Sequence, residues 1–176
     1  MITIHDKNFV PYISETEIKE KVKKIARQIS DDYRGLKPLF VAILNGAFMF
    51  ASDLFKELDI EAEIAFIKLA SYKGTTSTGK VLTAIGLDAD IHNRHVVIIE
   101  DIVDTGKTLH TFLPTLEHSQ PKSLKLVTLL HKPEATVHPI AIDYLCFIIP
   151  NKFVVGYGLD YDGLGRNLKE IYQLEG

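Results

Sequence analysis

The stretch from Val96 to Leu109, VVIIEDIVDTGKTL, constrains the fold more than any other part of the chain. The residues from Val96 to Glu100 read as a buried strand. Two adjacent acids, Glu100 and Asp101, come at its end. The loop Asp104-Thr105-Gly106-Lys107-Thr108 follows, and a helical pattern begins at Thr108. A strand, a turn of small polar donors and a helix N-terminus form a cradle for phosphate, because free backbone N–H groups and the helix dipole face the anion. Gly106 permits close backbone approach, and Thr105 and Thr108 add hydroxyl donors. The two acids would repel a phosphate unless a metal ion or a developing positive charge lay between. A sugar phosphate suits both halves, with its phosphate on the amides and its hydroxyls on the acids. The Gly-Lys-Thr triplet also suggests a Walker A loop, but that motif needs a glycine five residues earlier. Asp101 stands there, so the loop is too short and too acidic.

A chain of 176 residues fits one domain, and 46% apolar residues are enough for a core. A net charge of −3 gives no global attraction to nucleic acid or anionic membrane, so any phosphate site must be local. The single Cys146 excludes an intrachain disulfide and points to a reduced, cytoplasmic setting. The N-terminal MITIHDKNF has no apolar signal region, and no apolar run reaches membrane-spanning length. These features predict a soluble protein. The seven histidines show no zinc-like spacing and are assigned to the surface.

Strand and helix patterns alternate along the chain, which predicts an α/β fold with a central, mostly parallel sheet flanked by helices. Ser14 and Glu17 form a capping box ahead of an amphipathic helix with Ile18, Val22, Ile25 and Ile29 on one face. Leu39 to Leu44 reads as a buried strand, followed by Asn45-Gly46 and a helix from Ala47 to Leu58. Further strands are expected over Ile60 to Ala70, Leu124 to Leu130 and Tyr144 to Ile149, with a short apolar segment at Phe153 to Tyr157. Leu168 to Leu174 is either a strand or a short helix. The segment SYKGTTSTGK, residues 71–80, has no periodicity and reads as a mobile loop able to act as a lid. The helix from Thr108 to His118 contains Pro114, which predicts a kink or an early end.

Four segments, in order, resemble the purine phosphoribosyltransferases of the hypoxanthine-guanine type. They are Leu44-Asn45-Gly46-Ala47, Ser71-Tyr72, EDIVDTGKT, and KFVVGYGLDY from Lys152 to Tyr161. The resemblance implies the type I phosphoribosyltransferase fold. Its core would span about 34–150, with a small hood from about 1–12 and 151–176. It also implies transfer of a 5-phosphoribosyl group from 5-phosphoribosyl-1-pyrophosphate to N9 of hypoxanthine or guanine, with Mg²⁺ accompanying the pyrophosphate. Asp104 would be the base that takes the N7 proton. Glu100, Asp101, Ile102, Val103, Thr105, Gly106, Lys107 and Thr108 would hold ribose and phosphate. Leu44, Asn45, Gly46 and Arg166 would hold pyrophosphate. Asn45 stands where the family often has lysine, so side-chain charge is lost there. Lys132, Lys152, Phe153, Val154 and Asp160 would hold the purine, with Phe153 stacking on the base and Lys132 donating to O6. Ser71 and Tyr72 open the mobile loop. Glu100, Asp101 and Asp160 would meet the metal. The resemblance further implies a homo-oligomer, dimer or tetramer, acting on small molecules, with no nucleic-acid or membrane partner. The competing class is a regulator that binds the sugar pyrophosphate without catalysis.

Overall fold

A computed structural model describes residues 1–72, 81–86 and 89–176 of the chain. In chain order the elements are β1 (Ile2–Ile4), β2 (Lys7–Ile13), α1 (Glu15–Asp32), β3 (Leu39–Leu44), α2 (Phe48–Glu57), β4 (Glu63–Tyr72), β5 (Val81–Ile85), β6 (His95–Val103), α3 (Lys107–Glu117), β7 (Ser123–His131), β8 (Tyr144–Ile148), β9 (Val154–Val155) and β10 (Ile171–Leu174). A 3-10 turn, Pro133–Ala135, follows β7. The main sheet has the order β5-β4-β3-β6-β7-β8, parallel except for β5, which pairs antiparallel with β4 at the edge. The predicted lid at 71–80 lies outside the described residues, apart from the main chain of Ser71 and Tyr72 in β4.

Alternation along the central strands explains the two-sided core. Phe40 and Ala42 of β3, with Val97 and Ile99 of β6, pack under α1 and α2. Leu39, Val41 and Ile43, with Val96 and Ile98, pack on the opposite face against Leu109, Phe112 and Leu116 of α3. The buried stripe of α1 is Ile18, Val22, Ile25, Ala26 and Ile29, and its start carries the predicted capping box between Ser14 and Glu17. Cys146 is buried in the first of these cores. Burial pushes its thiol up to about 12, which leaves it an inert packing residue.

Several expectations are corrected. β6 extends to Val103, so Glu100 and Asp101 lie within the strand and do not follow it. The strand expected at Ile60 begins at Glu63, where pairing with Leu39 of β3 begins. The helix does not stop at Pro114. Proline removes the bond its own N–H would make, and the apolar stripe through Leu116 still holds the helix to Glu117. Of the two alternatives for the final segment, the strand holds, as β10.

β10 joins β1, β2 and β9 in a second, four-stranded sheet with order β1-β2-β10-β9, made from the two ends of the chain. Pro11 in β2 has no N–H to give, and the β2–β10 register shifts beside it, between Ile171 and Tyr172. Phe9, Ile4 and Val155 form the core of this sheet.

His95 departs from the surface assignment. It opens β6, its Nδ1 lies 2.7 Å from Ser123 Oγ, and its ring meets Tyr33 edge-on at 5.9 Å. Its Nε2 is buried and finds no hydrogen-bond partner among the described residues. Burial, followed by nearby Lys122, lowers its pKa from the ordinary imidazole value. The unfolded chain therefore takes up the proton more readily. The contribution of His95 to stability is full above about pH 6.5 and is lost as pH falls below that value. Thermal melts between about pH 7 and pH 5 are expected to fall more steeply for the wild type than for His95→Gln. Parallel slopes would refute this.

Candidate active site

The order of the main sheet reverses between β3 and β6, because β3 leads through α2 to β4 on one side and β6 leads through α3 to β7 on the other. Loops leaving such neighbouring strands open a crevice at their carboxyl ends. Two adjoining cavities fill this crevice. The first, about 300 Å³, is lined by Leu44, Leu69 and the run from Glu100 to Leu109. The second, about 340 Å³, is lined by Gly46, Lys132, Phe153, Val154, Leu159, Asp160 and Arg166. Ile43, Leu44, Glu100, Asp101, Ile102 and Asp104 line both, so the carboxylates stand where the compartments meet.

The first compartment is lined by the strand, loop and helix start that the sequence reading takes as a phosphate cradle. Gly106 is the N-cap of α3, in the left-handed region at φ +76°. First-turn amides of a helix have no acceptor within the helix; here Lys107 N donates to Thr105 Oγ1 at 3.4 Å, and the next amides face the compartment rim. Thr105, Lys107 and Thr108 lie at this rim. The close approach that demands glycine at 106 comes from the chain itself, since a Cβ there would collide with the His138 carbonyl. Val137 and His138 both donate their amides to the Thr105 carbonyl, at 3.1 and 3.0 Å, and this fixes the loop from behind. Val103 contributes through its main chain. Its side chain is in the core and its carbonyl accepts from Lys132 N at 2.9 Å.

Glu100 and Asp101 are each only 9% exposed, which excludes a pair of solvated turn acids. Burial, and then the charge of Asp101, push the Glu100 carboxyl well above the usual carboxylate range. Asp101 Oδ1 accepts from the Ile102 amide at 2.8 Å. Its carboxylate also lies where a Cβ of residue 46 would be, and the Gly46 carbonyl in turn occupies the place of a Cβ on Gly158. Gly46 is thus clamped between β6 and the loop after β9. The peptide joining Leu44 to Asn45 is cis. Gly46→Ala must displace this loop or the carboxylate. The expected result is a loss of about 10²-fold in turnover, checked by steady-state kinetics. Wild-type rates would contradict the clamp. Asn45 itself is exposed and its side chain lines neither compartment.

The second compartment is built by the loop from Val154 to Arg166. Tyr157 donates to Asp53 of α2 at 2.7 Å, which ties this loop to the core. Arg166 bridges Asp160 Oδ1 at 2.6 Å and donates to the Gly158 carbonyl at 2.6 Å. Asp160 Oδ2 accepts from the Gly163 amide at 2.7 Å. The Phe153 ring is 44% exposed at the compartment mouth, braced by Phe9 and Tyr161. Lys152 is exposed and lies outside the lining. Sequence reasoning misses Leu159 and Gly158, although the glycine pair in Gly156-Tyr157-Gly158 is a signal for a tightly folded loop.

Lys132 and Asp104 come together across neighbouring strands. Lys132 is 5% exposed, and its Nζ donates to Asp104 Oδ2 at 3.2 Å. The side chain of Asp104 is 46% exposed, so one face of this ion pair is open to the compartment. A buried lysine requires such a partner. The pair sets a donor beside an acceptor at the edge of a compartment lined by both charged and apolar side chains.

Comparison with known proteins gives the family of the chain. A family model described as a phosphoribosyl transferase domain matches residues 14–162. The chain is 44% identical over 160 residues to the hypoxanthine-guanine phosphoribosyltransferase of Streptococcus pneumoniae, covering 90% of this chain and 89% of that one. It matches the bifunctional protein TilS/HprT of Listeria innocua at the same identity, but spans about a quarter of that protein's length (25%). The structure of a hypoxanthine phosphoribosyltransferase from Staphylococcus aureus superposes with a TM-score of 0.87 at 40% identity, over 94% of this chain and 91% of that one. The chain belongs to the phosphoribosyltransferase family, and these relatives and neighbours within it are enzymes of the hypoxanthine(-guanine) type.

Proposed function

We propose that the protein transfers a 5-phosphoribosyl group from 5-phosphoribosyl-1-pyrophosphate to N9 of hypoxanthine or guanine, yielding the nucleoside 5′-monophosphate and pyrophosphate in purine salvage. The observation that carries this reading is the Lys132–Asp104 pair at the mouth of a slot beside a phosphate cradle. In a 6-oxopurine, O6 and N7 are neighbouring atoms on one edge. Lys132 donates to O6, and Asp104 accepts the proton from N7 as N9 attacks the anomeric carbon. Phe153 stacks on the base, and the Val154 main chain meets the edge near C2. The 5′-phosphate sits on Thr105 to Thr108.

Glu100 and Asp101 face the sugar and hydrogen-bond its hydroxyls, and Asp101 offsets the positive charge that grows on the ring as the pyrophosphate departs. Arg166 and the Leu44–Gly46 loop serve the pyrophosphate side. Arg166 has to exchange its hold on Asp160 to reach it.

The donor set fits Mg²⁺. Two buried carboxylates share one compartment edge, while no group of three or more His, Cys, Asp or Glu side chains suited to a metal converges among the described residues. Magnesium is held by one or two carboxylates together with substrate phosphates, not by an all-protein cage. Either the Glu100–Asp101 pair or Asp160 would hold it together with substrate phosphates, and it would neutralise charge on the leaving pyrophosphate. The reaction is tested by turnover, in which nucleotide and pyrophosphate should appear in equal amounts.

We read the protein as a homo-oligomer. Phe48 of α2 and Phe66 of β4, 42% and 44% exposed, supply apolar surface for contact between copies. Sedimentation should give a mass of two or four chains, and a mass of one chain would refute it. Among the described residues no helix is long and apolar enough to cross a membrane.

A further inference from the structure

We infer that Thr136 is a positioning residue for the reaction, holding the base and the O6 donor in register through its hydroxyl. This rests on the reading of Asp104 as the base. Thr136 follows the 3-10 turn Pro133–Ala135, which folds the chain back over the ends of β6 and β7. There its Oγ1 reaches the Asp104 carbonyl at 3.0 Å and the Lys132 carbonyl at 2.9 Å. One hydroxyl proton is shared between the two carbonyls. His131 Nε2 lies 3.2 Å from the same oxygen and donates to it in the Nε2–H tautomer.

The two carbonyls belong to the two residues whose side chains form the ion pair. Asp104 is in a loop beyond β6, and Lys132 follows β7. Lys132 N also donates to the Val103 carbonyl at 2.9 Å, so the lysine main chain is held from both sides. The Asp104 carbonyl is given a side-chain donor by Thr136 alone among the described residues. Without it, Asp104 keeps its side-chain link to Lys132 but loses the bond that fixes its main chain. Proton transfer requires hydrogen-bond distance to N7, and a misplacement of about 1 Å costs about 10²-fold. The phosphate cradle is secured separately by Val137 and His138 on Thr105. The effect therefore falls on the purine step and not on sugar pyrophosphate binding.

The experiment compares wild type, Thr136→Val and Thr136→Ser in steady-state turnover of hypoxanthine, with melting temperature measured for each. Thr136→Val keeps the shape and removes the hydroxyl. It is expected to lose about 10–100-fold in kcat/KM for hypoxanthine, with the KM for 5-phosphoribosyl-1-pyrophosphate near wild type. Thr136→Ser should restore most of the activity. If the valine variant does not fold, Thr136→Ala carries the same comparison. Wild-type turnover in Thr136→Val overturns the inference, as does a serine variant as impaired as the valine one. Absence of turnover in every chain, wild type included, overturns the reading of Asp104 and this inference with it.

Discussion

Asp104→Asn is expected to lower kcat with hypoxanthine by about 10²–10⁴-fold, while the affinity for the sugar pyrophosphate stays near wild type. Asparagine preserves the size and the acceptor oxygen that meets Lys132 Nζ at 3.2 Å, but it cannot take up a proton. The loop proposed to hold the phosphate is fixed by glycine geometry at 106 and by main-chain bonds to Thr105, none of which involves the Asp104 carboxylate. Binding and chemistry should therefore separate. Lys132 is 5% exposed and would lose its charged partner, so some loss of stability is expected alongside. Thermal melting run with the kinetics distinguishes the two effects. Retention of wild-type kcat would remove Asp104 from the proton step.

The second large effect concerns the base. Lys132 offers only donors, and adenine presents an amino group where hypoxanthine and guanine present O6. Donor would face donor in a site where Lys132 is buried and already spends one bond on Asp104. Sites that hydrogen-bond a substrate group reject the analogue lacking it by about 10⁴-fold or more. The kcat/KM for adenine is expected to fall below that for hypoxanthine by this factor. Adenine within about tenfold of hypoxanthine would defeat the assignment of Lys132, since a tenfold difference is what a site without this hydrogen bond gives.

The strand-loop-helix unit at the centre of the site is legible in the sequence because its signals are local. A Val/Ile run specifies a buried strand, Asp-Thr-Gly specifies the turn, and an apolar stripe specifies the helix. β3, six apolar residues with Asn-Gly after them, has the boundaries its pattern predicts. What escapes sequence reasoning is set by partners distant in the chain. β2 is held by β10, more than a hundred residues away, so its short alternating pattern does not identify a strand by itself. Pro114 reads as a breaker until Phe112 and Leu116 are seen anchored in the core on either side. Glu100 and Asp101 stand out in the sequence as acids at the end of a buried strand, but their own burial comes from the crevice assembled around them. Lys132 and Asp104 each stand out through the family resemblance, but their ion pair depends on the pairing of β6 with β7. Thr136 carries no signal, because a lone threonine after a proline turn looks like any other loop residue.

The most direct test of the proposed reaction is a turnover assay with purified protein, Mg²⁺ and 5-phosphoribosyl-1-pyrophosphate. Hypoxanthine, guanine, xanthine, adenine and uracil are supplied separately, and the nucleotide is read by chromatography. Nucleotide is expected from hypoxanthine or guanine and none from adenine or uracil, with the product lost in Asp104→Asn. No nucleotide from any base, with the sugar pyrophosphate still bound, would contradict the proposal and identify a regulator that kept the cradle without the chemistry.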